Sequence, residues 1–329
     1  MKVTFYLPGE QELGSLAEID PDQDPAPFAL GERAWILQTY LRLRAAGQPV
    51  ELAGSPPAEG LLIFHAKHGR EIVRHWALLG NAVLVGVRGD LREPTTADFQ
   101  VLQNRVYEDG RSRFFVPSWP QPGLRRRDPA RGARVERVAF KGFAANLHSD
   151  FSSSDWKEAL RIRGIEWIFD AVEFRGHDTA VDALRWSDFH DIDLVLAVRP
   201  PDRRGYSGKP AAKLYNAWLA EVPALLGREP AYRELRSSEL DYVEVDSAAS
   251  ALDAIDRLQS DPGLYAAMVR RGRERGLEFT PESITESWVE LLWRTLPALA
   301  PQRPLQWLPH WLRPLVRRAH RALERRPAG

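Results

Sequence analysis

The chain has 329 residues, a formal net charge of zero and no cysteine. This length exceeds one ordinary hydrophobic core and suits two domains of roughly 150 residues each. The balance of 45 basic and 45 acidic residues gives no chain-wide positive field, so we expect no nucleic-acid partner. The lack of cysteine excludes disulfides and thiolate chemistry. With neither a secretory signal nor a run of ~20 apolar residues, we expect a cytoplasmic protein.

Residues 1–116 alternate short apolar runs with helical patterns. The apolar runs are Val3–Leu7, Val50–Ala53, Leu61–Ala66 and Val83–Val87, and the helical patterns are Glu32–Ala46 and Gly69–Leu79. Strands that alternate with helices in this way predict a parallel sheet covered on both faces. We assign this first domain to the acceptor side of a two-domain protein.

A segment rich in proline and arginine, residues 117–134, has no apolar periodicity and predicts an interdomain linker. A second alternation follows in residues 135–296. Its predicted strands are Val135–Phe140, Ile165–Phe169, Leu194–Val198, Ala224–Leu226 and Tyr242–Val245. The pattern as a whole predicts an α/β protein with two doubly wound, Rossmann-like domains that face each other across a cleft.

The segment Gly205–Glu229 contains two of the six lysines of the chain. Lys209, Lys213 and Asn216 follow one another at steps of four and three residues, so a helix over Ala211–Ala220 would align them in one stripe. Cations near the N-terminus of a helix favour an anion, and a diphosphate is the natural candidate. A solvated helix face whose lysines pair with carboxylates explains the same stripe.

Polar residues also follow the predicted strands of the second domain, where a doubly wound fold binds its ligands. Gly142 follows the first strand and would admit a phosphate, and Arg199 follows the third and offers a forked donor. Gly227 and Glu229 follow the next strand, and the carboxylate suits a ribose or sugar hydroxyl. We expect these residues to meet Lys209 and Lys213 at one binding site.

Residues 188–296 resemble the nucleotide-sugar-binding half of glycosyltransferases with the GT-B fold. The resemblance is carried by D-F-H-D-I-D-L-V-L-A-V-R and by K-P-A-A-K-L-Y-N-A-W-L-A-E-V-P-A-L-L-G-R-E-P-A-Y. The part of the second run that begins at Lys213 is also similar to the donor motif of the α1,3-fucosyltransferases. The resemblance implies that Lys213 contacts the donor diphosphate and that Asn216 and Glu229 lie near the sugar or ribose.

The sequence departs from those families at several positions. Gly208 and Asn216 stand where retaining enzymes of this fold often have two glutamates, and Ala212 replaces the glutamate that precedes the lysine in fucosyltransferases. Glu221 stands where the helix should end, a position that usually holds a small residue and disfavours a carboxylate. Donor sugar and stereochemistry therefore stay open, and an inactive relative is an alternative.

A base for the acceptor hydroxyl is expected in the first domain. His65 and His68 follow the strand that begins at Leu61, and Asp90 follows the next strand. Ordinary loop histidines are the alternative explanation. The D-x-D sequence at Asp191–Asp193 precedes a strand, the wrong end for a donor site, so we expect metal-independent transfer and no cofactor beyond the substrate.

The tail, residues 297–329, carries seven arginines and one glutamate, with tryptophans at apolar positions. This composition suits an anionic membrane surface at 300–329, which would make the protein peripheral on the inner face of the membrane. A terminal helix packed on the protein with solvated arginines is the alternative.

Together these patterns predict a glycosyltransferase that moves a sugar from a nucleotide diphosphate sugar to a glycan, lipid or small-molecule acceptor. His65 or Asp90 would be the base. Gly142, Arg199, Lys209, Lys213, Asn216, Gly227 and Glu229 would bind the donor. A nucleotide-sugar epimerase and a non-catalytic nucleotide-sugar-binding or scaffold relative remain alternatives.

Overall fold

The computed structural model describes all residues except 11, 29–30, 92–93, 174–182, 202–205, 207, 303–304, 306 and 325–329. The described strands are β1 Val3–Tyr6, β2 Val50–Ala53, β3 Leu61–His65, β4 Val83–Val87, β5 Phe99–Leu102, β6 Arg113–Phe115, β7 Arg137–Phe143, β8 Glu166–Val172, β9 Leu194–Ala197, β10 Ala224–Leu226 and β11 Val243–Glu244. The described α-helices are α1 Leu13–Leu16, α2 Gln38–Ala45, α3 Gly69–Arg74, α4 Ser154–Ile162, α5 Ala212–Ala220, α6 Pro230–Leu235, α7 Ala248–Ser260, α8 Pro262–Gly276, α9 Pro281–Val289, α10 Leu296–Leu299 and α11 Arg313–Glu324.

The chain divides into two compact units. The first comprises Met1–Asp20, Gly31–Ser118 and Ile284–Gly329, and the second comprises Pro21–Leu30 and Trp119–Ser283. These bounds differ from the predicted ones, because the chain from Ile284 onward groups with the first unit and the predicted linker groups with the second. Each unit has its own parallel sheet, as the α/β prediction requires.

The first sheet has the strand order β2-β1-β3-β4-β5-β6, and all its pairs are parallel. Strands β1, β3 and β4 are buried along their whole length, so their near-continuous apolar sequences fit the centre of a parallel sheet. The register pairs Phe64 with Gly86 and His65 with Val87, which brings the end of β3 beside the end of β4.

Sequence patterns missed β5 and β6. Gln100 interrupts the apolar run of β5, and β6 has only three residues, so neither strand shows the pattern of a buried central strand. The predicted helix Glu32–Ala46 is a π-helical segment, Arg33–Leu37, that continues into α2.

The second sheet has the order β11-β10-β9-β7-β8, again with parallel pairs. Strand β7 extends to Phe143, three residues beyond its predicted end, because it pairs with β8 over its whole length. Lys141 and Gly142 therefore lie within the strand instead of after it, a correction to the predicted strand end. Lys141 lies opposite Asp170 in this register.

Helix α5 begins at Ala212, so Lys213 is in its first turn. Lys209 precedes the helix, and the prediction that it shares a helical stripe with Lys213 is wrong. The physical reason is Pro210, whose ring disfavours the helical conformation in the residue before it. Leu214 is buried on the inner face of α5.

The end of α5 confirms that position 221 is unusual. Glu221 adopts a left-handed conformation with φ of 64°, a conformation that glycine adopts without strain. Its carboxylate forms ion pairs with Arg273 and, at 3.7 Å, with Arg126. These arginines offset the unfavourable position of an acid beside the carbonyl groups of a helix end.

The predicted linker is fixed to the second unit by Asp193, whose side chain is fully buried. Arg127 donates from Nε and Nη2 at 3.1 and 2.7 Å, and Arg131 donates from Nε and Nη2 at 2.7 and 2.8 Å. The backbone N–H groups of Glu136 and Arg137 add two bonds of 2.9 Å. Burial opposes the ionisation of Asp193, but these hydrogen bonds lower its pKa.

The tail is docked on the first unit. Arg317 donates from Nη2 to Asp98 at 2.6 Å and from Nη1 to the carbonyl of Thr96 at 2.9 Å, and Arg313 lies 3.5 Å from the same carboxylate. His310 contacts the carbonyl of Gly80 at 3.2 Å. The alternative of a packed helix with solvated arginines therefore does not hold for Arg313 and Arg317. No described helix is long and apolar enough to cross a membrane.

Substitution of Asp193 by asparagine is expected to lower the free energy of unfolding by ~3–5 kcal/mol, because Arg127 and Arg131 would lose their buried counterion. Urea denaturation measures the change. Asp191→Asn is the matched control, since Asp191 is exposed and its ion pair with Arg137 should contribute less than about 1 kcal/mol. Equal effects of the two substitutions would contradict the assignment.

Candidate functional site

Lys213 crosses the backbone of β7 at Gly142. Its Nζ donates to the carbonyl of Lys141 and lies 5.1 Å from the centre of the Phe140 ring. A Cβ at position 142 would lie 2.6 Å from Nζ, so a side chain there would displace the amine. Gly142 thus makes room for a lysine, a role that the sequence did not indicate.

Arg199 and Glu229 form a buried pair beside this amine. Arg199 Nε lies 3.0 and 3.1 Å from the two carboxylate oxygens of Glu229, and their side chains are 10% and 4% exposed. Glu229 is the N-cap residue of α6. The turn that precedes it is hydrogen-bonded to β9 through Gly227. The Gly227 N–H donates to Ala197 at 2.9 Å, and its carbonyl accepts from the Glu229 N–H at 2.8 Å.

The Nη1 of Arg199 is buried and has no hydrogen-bond partner in the described part of the chain. A guanidinium nitrogen in this state is costly, because it has lost its water without gaining a protein acceptor. The aromatic ring of Tyr206 lies 5.3 Å from the guanidinium carbon, and this cation–π contact gives Nη1 no hydrogen-bond acceptor. An acceptor from a ligand would complete the site.

The charges at the site shift one another's ionisation. Burial, and then the charge of Arg199, lower the pKa of Lys213 to about 7. Burial also raises the pKa of Glu229, although Arg199 opposes that shift. Because burial disfavours both charged forms, a bound anion would restore the ammonium form of Lys213.

Lys141 extends the cluster from the other side of β7. Its Nζ lies 2.6 Å from Asp170 and 2.7 Å from the carbonyl of Arg185, and burial lowers its pKa. The sequence analysis did not identify Asp170 as its partner. The register that places the two residues opposite each other comes from strand pairing and leaves no local signal in the sequence.

Of the other two residues of the predicted stripe, Asn216 lies in α5 and Lys209 precedes this helix. The charge of Lys209 acts on the pKa of Glu229, which places this lysine near the pair. The side-chain oxygen of Asn216 accepts the N–H of Gln121 at 3.0 Å, so it fixes the chain after Trp119. That hydrogen bond gives Asn216 a structural role which the sequence did not indicate.

In the first unit, His65 ends β3 and is 4% exposed. Both of its ring nitrogens lack a hydrogen-bond partner among the described residues, and burial lowers its pKa to about 4. A Cβ on Gly89 would lie 3.0 Å from Nε2. Asp90 is exposed, and its charge acts on His65 in the opposite direction to burial. The ring is therefore neutral near pH 7 and can accept a proton.

His68 differs from His65 because both of its nitrogens are engaged. Its Nε2 lies 2.5 Å from Glu32 and its Nδ1 lies 2.8 Å from Glu71. Glu32 also binds Lys67 at 2.6 Å. Of the two histidines that the sequence singled out, only His65 has ring nitrogens without a hydrogen-bond partner among the described residues. The described residues hold no group of three His, Cys, Asp or Glu side chains that could bind a metal ion.

Neither family models nor curated proteins gave a match to the sequence. Solved structures did. Sucrose-phosphate synthase from Thermosynechococcus elongatus superposes with a TM-score of 0.56 at 12% identity, over 82% of this chain and 94% of the other. Anabaena HepE in complex with UDP and glucose gives 0.54 at 13% identity, over 89% and 99%. TarM gives 0.51 at 10% identity, and the chain covers 55% of its length.

These three proteins are GT-B glycosyltransferases, and at such low identity the similarity establishes the fold. The predicted α/β fold of GT-B type is thereby confirmed. None of the structures named here is a fucosyltransferase, so the similarity of the lysine motif to that family stays a prediction. In architecture, the chain is a GT-B protein.

The free energy of unfolding should depend on the ionisation of Lys213. Between pH 7 and the ordinary lysine pKa of 10.5, the unfolded chain binds more protons than the folded one, so raising the pH favours folding. The effect is at most about 1.4 kcal/mol per pH unit. Lys213→Met should therefore stabilise the protein at pH 6 and lose this advantage towards pH 10.

Urea denaturation across that pH range measures the difference. Lys157→Met is the control, because Lys157 is exposed and its removal should leave the pH dependence of the wild-type protein unchanged. A stability difference between Lys213→Met and wild type that stays constant from pH 6 to pH 10 would refute a buried, partly neutral Lys213.

Proposed function

We propose that the protein transfers a sugar from a nucleotide diphosphate sugar to an acceptor hydroxyl. The observation that carries this proposal is the buried Nη1 of Arg199, which lacks a partner among the described residues beside the amine of Lys213. Both groups are hydrogen-bond donors, and a diphosphate supplies the oxygens and the negative charge that they lack. The GT-B fold supports this choice of ligand.

In glycosyl transfer the bond between the sugar carbon and the diphosphate oxygen breaks, and negative charge develops on the departing diphosphate. Lys213 and Arg199 would stabilise that charge, since preorganised cations in a site of low polarity act strongly on it. This arrangement favours metal-independent transfer. The reaction transfers no electrons, and we propose that it uses no cofactor.

A uridine diphosphate sugar is the first donor to examine, because HepE was solved with UDP and with UDP-glucose. Whether the enzyme transfers a hexosyl or a fucosyl group would be determined by the residues that contact the donor sugar. We propose that Glu229 contacts the donor sugar or the ribose. The charge of Lys209 acts on Glu229, so an acceptor and a donor are available for the hydroxyl groups of the ligand.

We propose His65 as the base that takes the proton of the acceptor hydroxyl. A neutral ring with unengaged nitrogens can accept a hydrogen bond from the acceptor hydroxyl and then take its proton. Asp90 is the second candidate for this role. Its charge raises the pKa of His65, so it would also stabilise the protonated ring.

A protein that binds nucleotide sugars without turning them over is the main alternative. The observation that favours it is the hydrogen bond from the Gln121 N–H to Asn216. Asn216 stands where retaining enzymes of this fold often have a glutamate, and the hydrogen bond gives it a structural role. Incubation with donor and a panel of acceptors separates the two functions. An epimerase is distinguished by turnover of the donor alone.

UDP binding should depend on the proposed diphosphate contacts. Lys213→Ala is expected to weaken binding at least tenfold, because a charge-assisted hydrogen bond contributes about 1.5–3 kcal/mol. Isothermal titration calorimetry with UDP measures the affinity. Lys157→Ala, at an exposed lysine of the same unit, should bind as the wild type does. An unchanged affinity for Lys213→Ala would remove the basis of the proposal.

Removal of the base should affect turnover and spare donor binding. His65→Ala is expected to lower kcat about a hundredfold, within the usual contribution of general base catalysis, and to leave the affinity for UDP unchanged. His75→Gln, at a half-buried histidine of the same unit, is the control. If His65→Ala retains full kcat and Asp90→Asn loses it, Asp90 is the base.

A further inference from the structure

The tryptophans of the chain are distributed unevenly between interior and surface. All eleven are described, and Trp76, Trp307 and Trp311 are exposed by 49%, 77% and 43%. The other eight are buried or half-buried. Leu78 and Leu315, which neighbour these three in the sequence, are exposed by 55% and 53%. We call these five residues the tryptophan face.

One hydrogen bond brings the two segments of the tryptophan face together within the first unit. His310 Nε2 lies 3.2 Å from the carbonyl of Gly80. Trp311 follows His310 directly, and Trp76 precedes Gly80 by four residues, a span of at most about 15 Å at 3.8 Å per residue. The exposed apolar side chains of the two segments therefore belong to one region of the surface.

The two segments of the tryptophan face carry mainly basic charges. Arg70, Arg74 and Arg318 are exposed. The sequence from 305 to 323 contains no acidic residue, and the sequence from 69 to 80 contains only Glu71. Glu71 binds His68 at 2.8 Å and accepts from Tyr6 at 3.2 Å, so its side chain is held by these two partners. The tryptophan face is thus apolar with a basic border.

We propose that the tryptophan face binds the surface of an anionic phospholipid bilayer. Indole rings prefer the boundary between headgroups and acyl chains, and arginines are attracted to anionic lipids by about 1 kcal/mol each. The proposal concerns a surface distinct from the Arg199 cluster and does not depend on the proposed function. It adds Trp76, Leu78 and the arginines of α3 to the tail that composition alone singled out.

A second copy of the chain is the principal competing occupant, because tryptophan and arginine also occur at protein interfaces. In a symmetric dimer the same patch meets itself, so the exposed Arg70, Arg74 and Arg318 would face a copy with the same excess of basic charge. Charge complementarity therefore favours an anionic lipid surface over self-association.

Co-sedimentation of the full chain with vesicles tests the proposal. Vesicles of phosphatidylcholine with 30% phosphatidylglycerol should pellet the wild-type protein, and pure phosphatidylcholine should pellet much less of it. W307S/W311S is expected to lower the partition coefficient at least tenfold, and Arg74→Gln about fivefold. Raising the salt concentration should weaken binding, since it screens the attraction of the arginines.

The matched control is I162S/L277S, which removes two exposed apolar side chains of the second unit, 70% and 71% exposed, and should bind vesicles normally. Circular dichroism verifies that all variants are folded, and UDP calorimetry reports the donor site separately. Equal pelleting with and without vesicles would overturn the proposal. So would sedimentation of the lipid-free protein as a dimer that W307S/W311S dissociates.

Discussion

The passage of Lys213 over Gly142 is the constraint on which the arrangement of the second unit's site depends. Successive side chains of a strand point to opposite faces, so Phe140 and Gly142 share a face and Lys141 points to the other. The amine crosses the first face, where only a glycine leaves room for it. Helix α5 must therefore begin late enough to place Lys213 in its first turn, and β7 must be long enough to reach position 142.

Two of the buried charge clusters in the second unit differ in how completely their polar groups are hydrogen-bonded. Asp193 accepts bonds from two guanidinium groups and two backbone N–H groups, so it is complete without any ligand. Arg199 shares one carboxylate through Nε, while its Nη1 lacks a partner within the described residues. Since proteins rarely bury polar groups unpaired, the first cluster serves folding, and the unpaired nitrogen of the second supports the proposal that it binds a ligand.

Local patterns predicted what local physics controls. The bounds of β2 and β4 follow from short apolar runs, and Arg199 and Glu229 could be placed together because parallel strands end at one edge. The predictions that failed depended on a distant partner or on one unfavourable neighbour. Lys209 lies outside the helix because of Pro210. Arg127 and Arg131 of the predicted linker are withdrawn from solvent because they pair with Asp193, which lies far along the chain. The composition of residues 117–134 does not reveal this distant partner, so the segment resembled a solvated linker.

The tail shows how one basic segment can serve two purposes. Arg313 and Arg317 are directed to the fully buried Asp98, so they hold α11 on the first unit and are withdrawn from any external surface. Trp307, Trp311 and Leu315 are left outside by the same packing. A free amphipathic helix loses conformational entropy when it orders on a membrane, whereas this segment is already ordered by its contacts with the protein. Because Arg313 and Arg317 already fix the tail on the first unit, its exposed apolar side chains could bind the proposed lipid surface without a folding step.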